Sequence, residues 1–121
     1  MIMKLDFASS VPIYQQIRDQ IVQAVADGVF LDGDRLPAIR ALADEVGINT
    51  MTVNKAYQLL KQEGYIITDR RNGAKVQCSG GRKQAVERKV EKELELLAAE
   101  AKIAGISGEE FAKLCRKAYD G

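Results

Sequence analysis

Apolar residues recur every three or four positions in three stretches of the first 64 residues, and this spacing predicts three helices. The first helix is expected over about 12–27, with Ile17 and Ile21 on its apolar face and Gly28 as its C-terminal cap. Residues 30–34 have the composition of a turn. The chain therefore begins its ordered part with a helix followed by a tight reversal.

The second and third helices are predicted to lie very close together in the chain. The second opens at Pro37 and stops at Gly47, and the third has Asn49 as its N-cap and ends at Gly64. Two helices joined by a short turn that contains glycine form a helix-turn-helix, here over about 39–58.

A β-hairpin is predicted directly after the third helix, over 65–78. Asn72-Gly73 lies between two strand-like runs and is a strong hairpin signal. If these two residues form the loop, then Ile67, Val76 and Cys78 share the face toward the core. The opposite, basic face would carry Thr68, Arg70, Lys75 and Gln77.

The last 40 residues or so are predicted to form two further helices after the break at Ser79-Gly80-Gly81. A capping box, Ser107-Gly108-Glu109-Glu110, marks the start of the second of them. A long amphipathic helix with little chain left to cover it favours pairing with a second copy, although packing on the first helix of its own chain is the alternative. The apolar positions expected in that interface are Val86, Val90, Leu94, Leu97, Ala101, Phe111 and Leu114.

The charge of the chain is concentrated in one place, although the net formal charge is only +1. Residues 70–92 hold eight basic and two acidic side chains. Such an asymmetry indicates an anionic partner that contacts one part of the molecule.

Composition excludes several classes of function. The chain has no histidine, so it lacks a Ser/His or Cys/His catalytic pair and imidazole metal ligands, and we expect no catalytic site, no metal and no cofactor. Its two cysteines, 37 positions apart, have no metal-ligand spacing. Neither a membrane span nor a signal peptide is evident, which leads us to expect a cytoplasmic protein.

Three helices followed by a hairpin with a basic tip predict a winged helix-turn-helix, which suits double-stranded DNA. The amide of Asn54 has the geometry to bond adenine, while Thr50 and Thr52 are suited to phosphates, bases or a thymine methyl. Two alternatives remain: a winged helix that serves as an adaptor for protein contacts without DNA specificity, or a basic hairpin that is merely solvated.

Residues 12–76 resemble the DNA-binding domain of the GntR family of bacterial transcriptional regulators. The stretches that carry the resemblance occur in the family's motif order and are PIYQQIRDQIVQAVADG, GDRLPAIRALADEVGIN, TMTVNKAYQLLKQEGYI and GAKV. The signature NKAYQLLKQEG, with only about 45 residues after the wing, is most similar to the YtrA-like subfamily, whose short C-terminal part is two helices used for dimerisation.

The resemblance implies a mainly α-helical fold with a small β-hairpin wing: a DNA-binding domain over 1–79 and a helical dimerisation tail over 80–121. By position it assigns Arg40 to the family's DNA-contacting arginine of the second helix and Gly73 to the wing glycine. Together with the residues named above, the expected DNA-binding set is Arg40, Asn49, Thr50, Thr52, Asn54, Lys55, Arg70, Arg71, Gly73 and Lys75.

The function that this implies is a homodimeric transcriptional regulator, expected to be a repressor that occupies a near-palindromic operator. Many family wings read Gly-x-Gly-Thr-aromatic, whereas Arg71, Ala74 and Lys75 stand here and make the wing more electrostatic. Family members normally respond to a small-molecule effector. Since about 40 residues follow the wing, any effector site would have to lie at the dimer interface or between head and tail.

Overall fold

The computed structural model describes residues 3–78 and 81–121, and over these ranges it is mainly helical with one two-stranded antiparallel hairpin. The chain divides into two compact units, a head (residues 1–79) and a tail (residues 80–121). The helical content and the single described hairpin confirm the predicted fold class. The elements in chain order are α1 (Ile13–Ala26), α2 (Ile39–Val46), α3 (Thr50–Gln62), β1 (Ile66–Asp69), β2 (Gly73–Val76), α4 (Lys83–Ile103) and α5 (Gly108–Asp120).

The turn between α2 and α3 is fixed by one residue at each side. Gly47 ends α2 with φ of 75°, a left-handed conformation that glycine adopts without steric cost. Asn49 begins α3 by accepting a hydrogen bond from the backbone N–H of Thr52. The predicted caps of the helix-turn-helix are therefore confirmed, although α2 starts at Ile39 rather than at Pro37.

The core of the head is built around α3. Val53, Ala56 and Leu60 are fully buried on its inner face, and α3 packs against α1, α2 and β1. The core side chains are Ile17, Ile21, Leu36, Leu42, Ala43, Val53, Ala56, Tyr57, Leu60, Ile66 and Val76.

Tyr57 holds α3 to the start of α2. Its hydroxyl donates a 2.7 Å hydrogen bond to the carbonyl oxygen of Pro37, and burial raises the pKa of the phenol well above its ordinary value. Because this bond joins residues 20 positions apart, it ties the two helices together beyond their short turn.

The hairpin has a longer loop than the sequence predicts, so its pairing is shifted. Ile66 pairs with Val76, Ile67 with Lys75, and Asp69 with Gly73, which leaves residues 70–72 as the loop. The predicted two-residue Asn72-Gly73 loop is therefore wrong.

The shifted register also corrects the predicted faces of the hairpin. Ile66 faces the core with Val76, whereas Ile67 is 48% exposed beside Lys75. Thr68 pairs with Ala74 and lies on the same side of the hairpin as Ile66 and Val76, contrary to the prediction, although its side chain is exposed. A change in loop length moves side chains to the other face because successive strand residues alternate.

A third segment extends this small sheet on the other side of β2. Arg35 bridges to Lys75, the backbone N–H of Leu36 donates to the carbonyl of Ala74 at 2.9 Å, and that of Val76 donates to the carbonyl of Asp34 at 2.8 Å. The turn predicted over 30–34 is followed by a short paired segment at Arg35 and Leu36, which no sequence pattern predicts. The wing is thus anchored to the chain just before α2.

The tail consists of two helices with almost no interior of their own. Ala101 is the one residue of α4 that is buried, and α5 buries none. The predicted capping box at Ser107 and Glu110 is confirmed. In the part of the chain that the structure describes, no helix is long and apolar enough to cross a membrane.

An ion pair joins the middle of α1 to the C-terminal end of α3. Arg18 of α1 is 8% exposed and binds both carboxylate oxygens of Glu63, at 2.8 and 3.1 Å. The bonds to Glu63 raise the pKa of Arg18 above its ordinary value, although burial opposes them. The second partner of Arg18 is Asp19, whose side chain is more exposed than that of Glu63.

We expect Glu63→Gln to lower the free energy of unfolding by about 2 kcal/mol, because it leaves a nearly buried guanidinium without its bidentate partner. Asp19→Asn is the matched control and should cost less than about 0.5 kcal/mol, since that carboxylate is half exposed. Urea unfolding of the three proteins measures both changes. Equal losses in the two variants would contradict this assignment.

The carboxylate of Asp69 closes the wing loop. It accepts the backbone N–H groups of Asn72 and Arg71 and the side-chain amide of Asn72. These bonds, with those from Asn72 the strongest, hold the pKa of Asp69 below its ordinary value of about 3.9.

Since the folded pKa is depressed, we expect this carboxylate to stabilise the loop fully above about pH 3.9 and to lose that effect as pH falls through the folded value. NMR titration of the Asp69 carboxyl and of the Asn72 amide proton follows both events. Asp69→Ala should abolish the low-pH step of the Asn72 amide. A midpoint for Asp69 at or above 3.9 would refute the assignment.

Candidate nucleic-acid interface

The polar side chains at the start of α3 are of two kinds: some hydrogen-bond within the helix, and others have no partner in the described part of the head. The side-chain oxygen of Asn49 accepts from the backbone N–H of Thr52 at 2.8 Å and from the hydroxyl of Thr52 at 3.0 Å. The proton of the Thr52 hydroxyl is therefore used within the helix, and this oxygen is left to accept. Asn49 keeps its amide N–H groups as donors for a ligand.

Thr50 and Asn54 lie on the outer side of α3 and are exposed. Over residues 3–78, neither side chain has a hydrogen bond or ion pair with another residue of the head. An unpaired Asn amide offers one acceptor and two donors, the combination that bonds an adenine edge. These two predicted site residues are thus free to bind a partner.

Lys55 has a different environment from the other predicted contacts. Its ammonium nitrogen lies 4.1 Å from the centre of the Tyr14 ring of α1, within the range of a cation–π interaction. The structure therefore places Lys55 toward α1, and it does not group Lys55 with Asn54.

A groove separates α3 from the wing. It has a volume of about 340 Å³ and is lined by Asn54 and Gln58 of α3, by Thr68 and Gly73 of the hairpin, and by the start of α2. Gly73 has φ of 66° and no atom of the head within 4 Å of where a Cβ would stand. The recognition side of α3 and the wing glycine therefore border one concave surface.

The start of α2 contributes amides and a cation near this groove. Ala38 is its N-cap and makes no side-chain cap hydrogen bond, so the first backbone N–H groups of the helix lack a side-chain partner. Arg40, in the first turn, is exposed and has no ion pair among the described residues. A helix N-terminus with a free arginine is suited to an anionic ligand.

The wing adds a cation that the sequence analysis missed. Arg35 donates from its guanidinium to the side-chain oxygen of Asn72 at 2.7 Å and is the bridge partner of Lys75. Arg70 and Arg71 are exposed in the loop itself. The one signal for Arg35 in the sequence is its place directly after the turn-like segment 30–34, because its pairing with β2 is a long-range contact.

The predicted dimerisation residues occupy three environments within the tail. A groove of about 530 Å³ is lined by apolar residues of both helices, and Ala101 is buried at the end of α4. Val86 lies near the start of α4, in a smaller adjoining groove of about 340 Å³ that shares Val90 with the first. The residues of the larger groove are Val90, Leu94, Leu97, Phe111, Leu114, Cys115, Ala118 and Tyr119.

The described residues contain no cluster of side chains with the composition of a metal site. Over 3–78 and 81–121, no three acidic or cysteine side chains are close enough together to hold a metal ion. Cys78 and Cys115 are both free thiols. The chemistry of the head is that of hydrogen-bond donors, amides and fixed positive charge.

Comparison with known proteins agrees with this chemistry. The family profile described as bacterial regulatory proteins, gntR family, matches residues 13–76. The HTH-type transcriptional repressor YtrA of Bacillus subtilis (strain 168) is 35% identical over 111 residues, which cover 89% of this chain and 85% of that protein.

Two solved structures are similar over most of this chain. A transcriptional antiterminator from Listeria monocytogenes EGD-e superposes with a TM-score of 0.85 at 29% identity, covering 97% of this chain and 89% of that one. YtrA from Sulfolobus acidocaldarius, a GntR-family transcription factor, gives a TM-score of 0.65 at 39% identity over 78% of this chain and 99% of that one. With a family match to more than half of its 121 residues, this chain belongs to the gntR family of bacterial regulatory proteins, a family of transcriptional regulators with DNA-binding domains.

Proposed function

We propose that this chain is a homodimeric transcriptional repressor that binds a near-palindromic operator and blocks transcription by occupying it. The observation that carries the proposal is the groove between α3 and the wing, bordered by the unpaired amide of Asn54 and by Gly73. The similar Bacillus protein is named a transcriptional repressor, which supports the sign of regulation. The regulator acts where the chromosome is, in the cytoplasm, and we assign it no catalytic role.

Phosphate contacts would set the position of the head on the duplex. Arg40 and the uncapped N-terminus of α2 are suited to one backbone segment. The wing, with Arg35, Arg70, Arg71 and Lys75, is suited to another. These contacts carry little sequence information and make affinity fall as salt concentration rises.

Base contacts would come from the first turns of α3. The N-terminal residues of a recognition helix lie against base edges in the major groove, and Asn54 has the donor and acceptor pair that adenine requires. Thr50 offers a hydroxyl and a methyl group. Thr52, whose proton is bonded to Asn49, would serve only as an acceptor or an apolar contact.

A second copy of the chain is the occupant that we propose for the apolar tail groove. The two tail helices bury a single residue, Ala101, within one chain, whereas helices in proteins gain most of their stability from the packing of an apolar face. Leu97 and Leu114 remain 52% and 54% exposed in the groove. Pairing two tails would bury both and would join two heads for adjacent half-sites.

We expect footprinting on the DNA upstream of the protein's own gene cluster to reveal a protected inverted repeat, and Asn54→Ala to weaken binding to it by about tenfold to a hundredfold. The reason is the loss of a bidentate amide contact to a base. Gln62→Ala is the matched control, since it removes an exposed amide at the far end of the same helix and should bind normally. Fluorescence anisotropy with operator and scrambled duplexes measures both.

An adaptor function predicts the opposite results. An adaptor would protect no repeat, would bind operator and scrambled duplexes equally, and would be unaffected by Asn54→Ala. A DNA-binding head should also lose affinity steeply with salt. Replacing Arg70 by alanine should reduce the slope by about two for the dimer, because one phosphate contact is lost from each head.

We expect Leu97→Asp to convert the dimer to a monomer and to weaken operator binding about a hundredfold, because a charge is placed in the groove and the second head is no longer tethered. Sedimentation equilibrium measures the association state. Leu96→Asp is the control on the neighbouring position of α4, which is 65% exposed and does not line the groove. Dimerisation that survives Leu97→Asp, or that is lost equally in both variants, would contradict the proposed interface.

A further inference from the structure

One large apolar side chain of α3 is directed away from the core. Met51 is 79% exposed, whereas Val53 and Leu60 of the same helix are fully buried. Because successive residues of an α-helix are about 100° apart, Met51 stands about 200° from Val53, on the opposite side of the helix. The side chain therefore projects where a surface helix normally carries polar residues.

Nothing in the head accounts for Met51. It belongs neither to the buried core nor to the half-buried apolar side chains packed against that core in the described part of the head. Exposed apolar residues are common on protein surfaces, so exposure by itself indicates little. The position of Met51 is more informative, because it lies between Thr50 and Asn54 in the first turns of α3.

We propose that Met51 is a specificity-determining residue that packs against the C5-methyl group of a thymine in the operator. The inference rests on the proposed binding of α3 in the major groove. Side chains three positions apart on a helix are about 5–6 Å apart, which is one to two base-pair steps. The thymine would therefore lie within one or two base pairs of the base that Asn54 bonds.

The chemistry of the major groove favours thymine as the partner. The groove displays hydrogen-bond donors and acceptors at every base pair, and the one apolar group among them is the thymine methyl. A methionine side chain has no N–H or O–H to satisfy, and its flexible thioether adapts to a small apolar surface. Packing on the methyl removes apolar surface of both groups from water, which cytosine, lacking the methyl, cannot provide.

The test starts from a duplex that the full-length protein selects from a random pool. A series of variants of this duplex is then made, and in each variant one symmetric pair of thymines is replaced by uracil. This replacement removes only the methyl group. We expect the wild-type protein to lose about fourfold in affinity per half-site at one position, the effect of one buried methyl. Met51→Ala should bind the thymine and uracil duplexes equally at that position, and Met51→Leu should retain the difference.

Thr50→Ser tests the rival contact, since Thr50 also offers a methyl group beside Met51 and the substitution deletes that methyl while keeping the hydroxyl. It should leave the thymine preference intact. The proposal is overturned if uracil costs nothing at any position, if Met51→Ala and wild type lose equally, or if Thr50→Ser removes the preference. Each of those results leaves the duplex bound, whereas failure of the pool to yield any specific duplex would refute the proposed function itself.

Discussion

Burial of the inner face of α3 is the interaction on which the rest of the head depends. Val53, Ala56 and Leu60 are fully buried, and α1, α2 and β1 all pack against this one helix. Because burial of the inner face fixes the rotation of α3 about its axis, Thr50, Met51 and Asn54 all point outward. The Tyr57 bond to Pro37 adds a second constraint, which sets the start of α2 beside the groove. The same packing that stabilises the fold therefore presents the candidate base-reading residues.

The basic side chains of the head have different structural roles, which the number of Lys and Arg residues does not distinguish. Arg18 is held by Glu63 and Lys55 lies over Tyr14, so both contribute to the cohesion of the helices. Arg35 joins the wing through Asn72, although its position in the chain precedes α2. A net charge of +1 is thus compatible with a locally cationic surface, and it suits the proposed dimer, in which two heads would engage one site together.

The tail differs from the head because its helices are encoded locally but bury almost none of their apolar residues within one chain. Its helices are well defined by a capping box and by side-chain spacing, yet their apolar residues lie on the surface of the single chain. Helices of this kind gain most of their stability from tertiary contacts. If a second copy supplies those contacts, the order of the tail becomes linked to the concentration of the protein.

The sequence by itself determined the helices and most of their ends, because caps and apolar spacing are local features; the start of α2, at Ile39 rather than Pro37, is the exception. Gly47, Asn49 and the Ser107 box have the predicted roles, and the family resemblance of residues 12–76 is confirmed by the match to 13–76. Only the tertiary structure decided the wing. Asp69 accepts the backbone N–H groups of Arg71 and Asn72 and makes a three-residue loop, which places Ile66 rather than Ile67 toward the core. The pairing of residues 33–36 with β2 likewise depends on contacts across about 40 positions of chain, and no local pattern of side chains encodes such contacts.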